Sequence, residues 1–252
     1  MRFLFVGDSM TIGRVGDWTW RHRMWQHLES TLPGRYEIVG PRTGLYDPTA
    51  ADDPNGVEAY ADPAFPAPAR RHLAGWGEGW LHMAPVIGGT VTATGADVLL
   101  ISLGLIDLGF YTNSDQTEEN VRAFVAAARA ANPRVRAVLL PVIPNVRAEY
   151  DAPFAAECAR FNELLAKAVA DLDTAASPLL LATIPESYDI HTDTYDGTHP
   201  GVTGEHKLAA AFATAMHQAW GLGGPYSPEV TMENPPHRWG GAEDVPLHKE
   251  PS

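Results

Sequence analysis

A serine, a histidine and a carboxylate carry the most reactive chemistry in this chain. Near the amino end stands Gly7-Asp8-Ser9-Met10, and near the other end Asp196-Gly197-Thr198-His199-Pro200. A serine hydroxyl is a weak nucleophile until a base takes its proton. With Asp-x-x-His spacing across a glycine turn, the carboxylate can accept the imidazole Nδ1–H. That fixes the tautomer and leaves Nε2 free to act as the base. Each segment also has a plainer reading, since Gly-Asp-Ser occurs in ordinary turns and Asp196 can make an Asx-type turn ahead of a helix. Taken together they predict acyl chemistry, with Ser9 as nucleophile, His199 as base and Asp196 as its orienting partner. His191 lies close to His199 but lacks the aspartate spacing, and it reads as a loop residue.

Positioning such groups requires a scaffold, and the hydrophobic pattern supplies one. Short runs rich in Val, Ile and Leu predict strands at residues 3–6, 36–39, 98–102, 137–142 and 179–182. Helical periodicity predicts helices over 18–32, 116–131, 154–172 and 203–220. A weaker helix covers 81–92, where Pro85 and Gly88-Gly89 interrupt the pattern. Asp115, with Glu118 three residues on, is placed to cap the second of these helices, and Asn132-Pro133 to close it. Alternating strands and helices imply parallel pairing through right-handed crossovers, hence a three-layer α/β/α domain. Ligands of open parallel sheets bind beyond the carboxyl ends of the strands. The rule marks residues 7–9, the segment after Ser102 and the segment after Ala182 as the place for chemistry. Two regions break the alternation: residues 41–79, long and rich in Pro, Gly, Ala and Asp, and the Pro-rich tail 221–252, expected as a lid, a wrap or a mobile end outside a domain of residues 1–220.

Composition removes several function classes. The formal charge is −13, with 18 Lys and Arg scattered against 31 acids; binding a phosphate backbone needs clustered cations, so no nucleic-acid partner is expected. No apolar run approaches the roughly 20 residues that cross a bilayer, and no membrane partner is expected either. Cys158 is the single cysteine, so an intrachain disulfide is impossible. The chain's first six residues run straight into the Gly-Asp-Ser turn rather than forming a signal segment, and the expected location is cytoplasmic. No His-Glu-x-x-His and no Gly-x-Gly-x-x-Gly fingerprint is present, so neither a metal nor another cofactor is expected.

The paired motifs, Gly7-Asp8-Ser9 and Asp196-Gly197-Thr198-His199-Pro200, resemble those of the SGNH/GDSL hydrolase family over roughly residues 1–220. The resemblance implies a flavodoxin-like parallel sheet of about five strands and acyl-ester hydrolysis or transfer by a Ser-His-Asp triad. It further implies an oxyanion hole made from the Ser9 N–H, a glycine N–H of a second block and an asparagine side chain of a third. Residues 72–80, His-Leu-Ala-Gly-Trp-Gly-Glu-Gly-Trp, resemble the second block, with Gly79 the expected donor and Gly75 or Gly77 as substitutes. Residues 103–108 resemble the third block, but Ile106 stands where the asparagine belongs. Isoleucine cannot donate a hydrogen bond, and losing one such donor costs about 10²–10³ in turnover. Asn113 and Asn145 are the candidate replacements, while Asp107 is expected to tie loops together by hydrogen bonds. Asp8, Trp76, Trp80 and Ile106 are the candidate substrate-facing residues. The two tryptophans either stack on a sugar or polycyclic ring or serve the core. Arg14, Asp17 and Trp18 either line the mouth of the site or anchor the first helix.

Three functions remain open at this level. The first is an esterase that removes a small acyl group, such as acetyl, from a sugar or other polyhydroxylated compound. The second is an acyltransferase or tailoring enzyme using the same triad. The third is a binding protein that has lost the chemistry together with the asparagine. In every case the expected partner is a small-molecule ester or its analogue.

Overall fold

The computed structural model describes residues 1–50, 53 and 56–228. At its centre runs β1 (Arg2–Gly7), in which Phe3, Leu4, Phe5 and Val6 are all fully buried, as a strand covered on both faces must be. It leads into the one-turn α1 (Ser9–Ile12), α2 (Thr19–Thr31) and β2 (Glu37–Val39). The long connection that follows carries 3₁₀ turns at Pro48–Ala50 and Ala67–Arg70 and then β3 (Leu73–Ala74). Next come α3 (Trp80–Thr94), β4 (Val98–Ser102), a π-turn at Asp107–Tyr111 and α4 (Ser114–Ala131). The chain continues through β5 (Arg136–Leu140), α5 (Arg147–Tyr150), α6 (Ala152–Leu172), β6 (Leu179–Leu181), α7 (Ile190–Asp193) and α8 (Val202–Trp220).

All strand pairs are parallel, in the order β2-β1-β4-β5-β6. The sheet has six strands, one more than the hydrophobic runs predict. Residues Arg2–Leu4 of β1 pair with β2, and Val6 and Gly7 then pair with Leu73 and Ala74 of β3 on the same edge. A two-residue strand leaves no hydrophobic run to detect, yet it brings the following Gly-Trp loop beside the end of β1. Helices α3, α4 and α6 pack together in one layer, while α2 and α8 form the other.

Two local expectations are corrected. Asn113, not Asp115, caps α4: its side chain accepts the Gln116 N–H at 2.9 Å while Gln116 Oε1 accepts the Asn113 N–H at 3.2 Å. Asp115 pairs instead with Arg160 on α6, and Glu118 with Arg122. α3 runs through both interruptions. Pro85 lies on the exposed side, and a Cβ on Gly88 would sit 3.2 Å from the Ala127 carbonyl, so its absence lets α3 and α4 approach closely. Of the tail, residues 221–228 turn back at Gly221 and set Tyr226 against His206, whose Nδ1 lies 2.8 Å from the tyrosine hydroxyl; residues 229–252 lie outside the described residues. No helix among the described residues is long and apolar enough to cross a membrane.

Candidate active site

Ser9 is the first residue of α1, directly beyond the carboxyl end of β1, and is only 4% exposed. Asp8 sets the turn: its Oδ1 accepts the Met10 N–H at 3.0 Å. A Cβ on Gly7 would lie 1.9 Å from the Thr11 hydroxyl, so only glycine allows α1 to fold back this tightly. The opposing loop enters between β6 and α8. Gly197, at φ +83°, lies against Val146 and gives its carbonyl to the Val146 N–H at 2.7 Å. Asp196 Oδ1 accepts the backbone N–H groups of Thr198 and His199 at 3.0 and 2.7 Å.

The two segments meet. His199 Nε2 lies 3.0 Å from Ser9 Oγ, and His199 Nδ1 lies 2.7 Å from Asp196 Oδ2. Burial works against the charge on Asp196, but the His199 ring and the two backbone N–H groups outweigh it and hold the carboxyl below the usual range. This leaves Asp196 ionised at neutral pH and able to hold the imidazole with its proton on Nδ1. Chemically the array can abstract the serine proton and return it to a leaving group.

A cleft of about 400 Å³ opens over Ser9 and His199. Its walls are largely apolar: Trp76, Leu105, Ile106, Phe110 and Phe154, with Gly77, Asn145 and Arg147 as the main polar contributors. The Arg147 guanidinium lies 4.1 Å from the centre of the Phe154 ring and is held by Asp151 and the Gly109 carbonyl. Behind His199, a much smaller recess is lined by Asp17, Thr19, Tyr195 and Glu205. A larger groove of about 770 Å³ beside β2 contains none of these residues. Among the described residues no cluster of His, Cys, Asp and Glu is arranged to hold a metal ion.

Several sequence expectations change here. Gly79 caps α3, and its N–H is taken by His82 Nδ1 at 3.1 Å; it does not line the cleft. Gly75 donates to the Gly7 carbonyl at 3.2 Å. Gly77 is the glycine of this loop that lines the cleft, and neither its N–H nor that of Ser9 donates to another described residue. Trp80 is fully buried against Phe124 in the core and cannot touch a ligand. Asp8 is likewise fully buried and faces α1 rather than the cleft. Burial raises its carboxyl to about 7, only partly offset by the Met10 N–H. Trp76 does line the cleft, yet with its edge: Tyr46 stacks on one face of the indole at 4.2 Å and the His199 imidazole on the other at 4.8 Å. No sugar can stack there.

Ile106 borders the cleft and has no donor to offer. Asn113 is committed to its helix cap, whereas Asn145 is 3% exposed and is the only amide side chain among the described residues that line the cleft. Its Oδ1 accepts the Ala148 N–H at 3.2 Å, and its Nδ2 has the Ile143 carbonyl at a long 3.5 Å and the Cys158 thiol beside it. Asp107 accepts the N–H groups of Trp80 and Leu81 at 2.8 and 3.0 Å, joining the π-turn to the start of α3. His191 is exposed and pairs with Glu149, away from the cleft. Asp17 accepts the Arg14 N–H at 2.7 Å, and Trp18 is buried under the Arg23 guanidinium. The sequence marks Asn145 only as a candidate donor and does not mark Arg147 or Phe154, which reach the cleft from the segments that follow β5. Its terminal Pro141-Val142-Ile143-Pro144-Asn145 segment carries the signal.

The chain is similar to known proteins in sequence and in fold. The sequence matches the GDSL-like lipase/acylhydrolase family over residues 5–207. Among solved structures, the chain is similar to an acetyl esterase mutant with an acetate ion, at 25% identity, covering 86% of this chain and 97% of that one with a TM-score of 0.69. It is similar to a carbohydrate esterase family 3 protein from Talaromyces cellulolyticus at 26% identity, with the same coverage of 86% and 97% and a TM-score of 0.69. A family 3 carbohydrate esterase from Clostridium thermocellum shares the fold at 18% identity, over 86% of this chain and 96% of that one, with a TM-score of 0.65. No curated protein sequence matches.

Proposed function

The chain belongs to the GDSL-like lipase/acylhydrolase family, and on that premise we propose that it hydrolyses a carboxylic ester with Ser9, His199 and Asp196 as its triad. His199 Nε2 takes the Ser9 proton as Oγ attacks the ester carbonyl carbon. The resulting imidazolium is held by Asp196 and returns the proton to the departing alkoxide. A water molecule, deprotonated in turn by His199, then attacks the acyl-serine; collapse of that intermediate frees the carboxylic acid and restores the serine hydroxyl. The observation that carries this reading is the unbroken chain of 3.0 and 2.7 Å contacts from Ser9 through His199 to Asp196.

The oxyanion is assigned to the N–H groups of Ser9 and Gly77 together with the Asn145 amide. What supports this set is position: all three residues border the one cleft, while Gly79 and Asn113 are occupied elsewhere. As for substrate, a small acyl group such as acetyl on a polyhydroxylated alcohol is supported by the similarity to an acetyl esterase and to a family 3 carbohydrate esterase. A second reading, transfer of the acyl group to an alcohol or amine acceptor, is favoured by the apolar walls formed by Leu105, Ile106, Phe110 and Phe154. These disfavour a standing water beside the acyl-serine.

The test uses a fluorophosphonate probe and p-nitrophenyl acetate. Wild-type protein is expected to label and to release nitrophenol, while Ser9→Ala and His199→Ala lose nearly all turnover with unchanged folding. Folded variants with full activity would refute the triad. Supplying glycerol or an amine acceptor and measuring acyl transfer against acid release separates the two readings.

A further inference from the structure

The four rings Tyr46, Trp76, His199 and Tyr195 are stacked in sequence, each near-parallel to the next. Tyr46 and Trp76 are 4.2 Å apart at 17°, Trp76 and His199 4.8 Å at 15°, and His199 and Tyr195 5.6 Å at 15°. They come from three separate segments: the connection after β2, the loop after β3 and the loop before α8. We propose that Trp76, backed by Tyr46, is a positioning residue that fixes the plane of the His199 imidazole so that Nε2 stays on Ser9 Oγ. The proposal rests on the reading of His199 as the base.

The need for such a device follows from the exposure of Asp196. Its side chain is 43% exposed while that of His199 is 17% exposed, so water competes for the carboxylate that would otherwise orient the ring. The Asp196 contact also fixes only the Nδ1 edge of the imidazole, and the Nε2 edge that meets Ser9 Oγ keeps some freedom to tilt. A parallel indole against the ring face removes this freedom. Turning the imidazole end over end would take it through an orientation perpendicular to Trp76 and forfeit the near-parallel stack at 4.8 Å. The contact gains a second part during reaction, because the imidazolium formed on proton transfer then faces an aromatic π-cloud.

The support behind Trp76 is built on the frame that carries Ser9. Tyr46 is tied to the segment after α1 by its N–H to the Gly13 carbonyl and its carbonyl to the Val15 N–H, both at 2.9 Å. The Trp76 loop is tied to the end of β1 by Gly75 N–H to Gly7 carbonyl, and it is braced by Arg42, which grips both Glu78 carboxylate oxygens and the Ala74 carbonyl. Trp76 is partly exposed, in contrast to the fully buried Trp20 and Trp80. It is therefore placed where its contribution to the core is small and its contact with the base is large.

The experiment compares Trp76→Leu and Trp76→Phe with wild type on p-nitrophenyl acetate. Misplacing a reacting group by about 1 Å costs on the order of 100-fold, so Trp76→Leu is expected to lower kcat by about 10- to 100-fold. KM is expected to stay within about threefold, the pattern of an interaction made in the transition state rather than on binding substrate. Trp76→Phe, which keeps a flat ring, is expected to recover most of kcat. The His199 ring C–H resonances, shielded by the indole in wild type, should move downfield in Trp76→Leu. Tyr46→Leu, which removes only the backing, should lower kcat in the same direction by a smaller factor and serves if Trp76→Leu does not fold. A raised KM with unchanged kcat, or a kcat loss that phenylalanine does not recover, overturns the proposal. Ser9→Ala in the same assay keeps the two questions apart, since activity surviving in that variant refutes the serine mechanism itself, whatever Trp76 does.

Discussion

Replacing Asp196 by asparagine turns a shape-conserving change into a test of the proton's position. In the native loop the two oxygens of Asp196 divide their work: Oδ1 accepts the Thr198 and His199 backbone N–H groups, and Oδ2 accepts the imidazole Nδ1–H. An asparagine in this loop keeps its oxygen on the backbone pair, which leaves its NH₂ against Nδ1. A donor there forces the neutral imidazole to carry its proton on Nε2, and the nitrogen facing Ser9 can no longer accept one. Where the triad aspartate is buried, the same exchange costs about 10⁴ in kcat. Here the carboxylate is 43% exposed, so water lessens the penalty, and about 10³ is expected, or roughly 4 kcal/mol. Asp196→Ala removes the loop bonds but imposes no wrong tautomer. It is expected to lose less of kcat than Asp196→Asn while showing the lower Tm of the two. The assay is steady-state ester hydrolysis with thermal unfolding followed by circular dichroism. An Asp196→Asn enzyme within about tenfold of wild type, or folded Asp196→Ala slower than Asp196→Asn, would refute the tautomer argument.

Two further outcomes follow from the same structure. Asn145→Ala is expected to lower kcat on simple esters by about 10²–10³, and Ile106→Asn to restore part of the loss in that background; an Asn145→Ala enzyme with native kcat removes the amide from the oxyanion hole. Asp8 predicts a pH effect on stability. Burial raises its carboxyl from 3.8 to about 7, and its Oδ2 has no partner. Between those values the folded chain holds a proton that the unfolded chain has released, so stability falls as pH rises from 4 to 7, at up to about 1.4 kcal/mol per unit. Asp17 and Glu205, raised by burial to about 6 and 7, add slopes of the same sign. Asp8→Asn, which can still accept the Met10 N–H, should flatten the pH dependence of the urea midpoint, and equal slopes in the two proteins would sink the assignment.

Short stretches of chain carry their own structural signal. Buried parallel strands read as unbroken apolar runs, so the strand at 98–102 coincides with β4, and the other four predicted strands differ from the observed ones by one or two residues at their ends. The carboxylate and base lie three residues apart in one turn, so their pairing was legible before any fold was known. Which groups converge from far along the chain was set by packing between distant segments. Gly77 replaces Gly79 as the free glycine N–H because residue 79 is consumed in starting α3. Trp80 goes to the core and Trp76 to the base, although the two stand four residues apart in one motif. Tyr46 meets Trp76 because a two-residue β3, too short to leave a pattern, seats the second loop beside the first. Periodicity records which side of an element faces the core; it holds no record of which loops touch beyond the strand ends, where packing between distant segments sets the geometry.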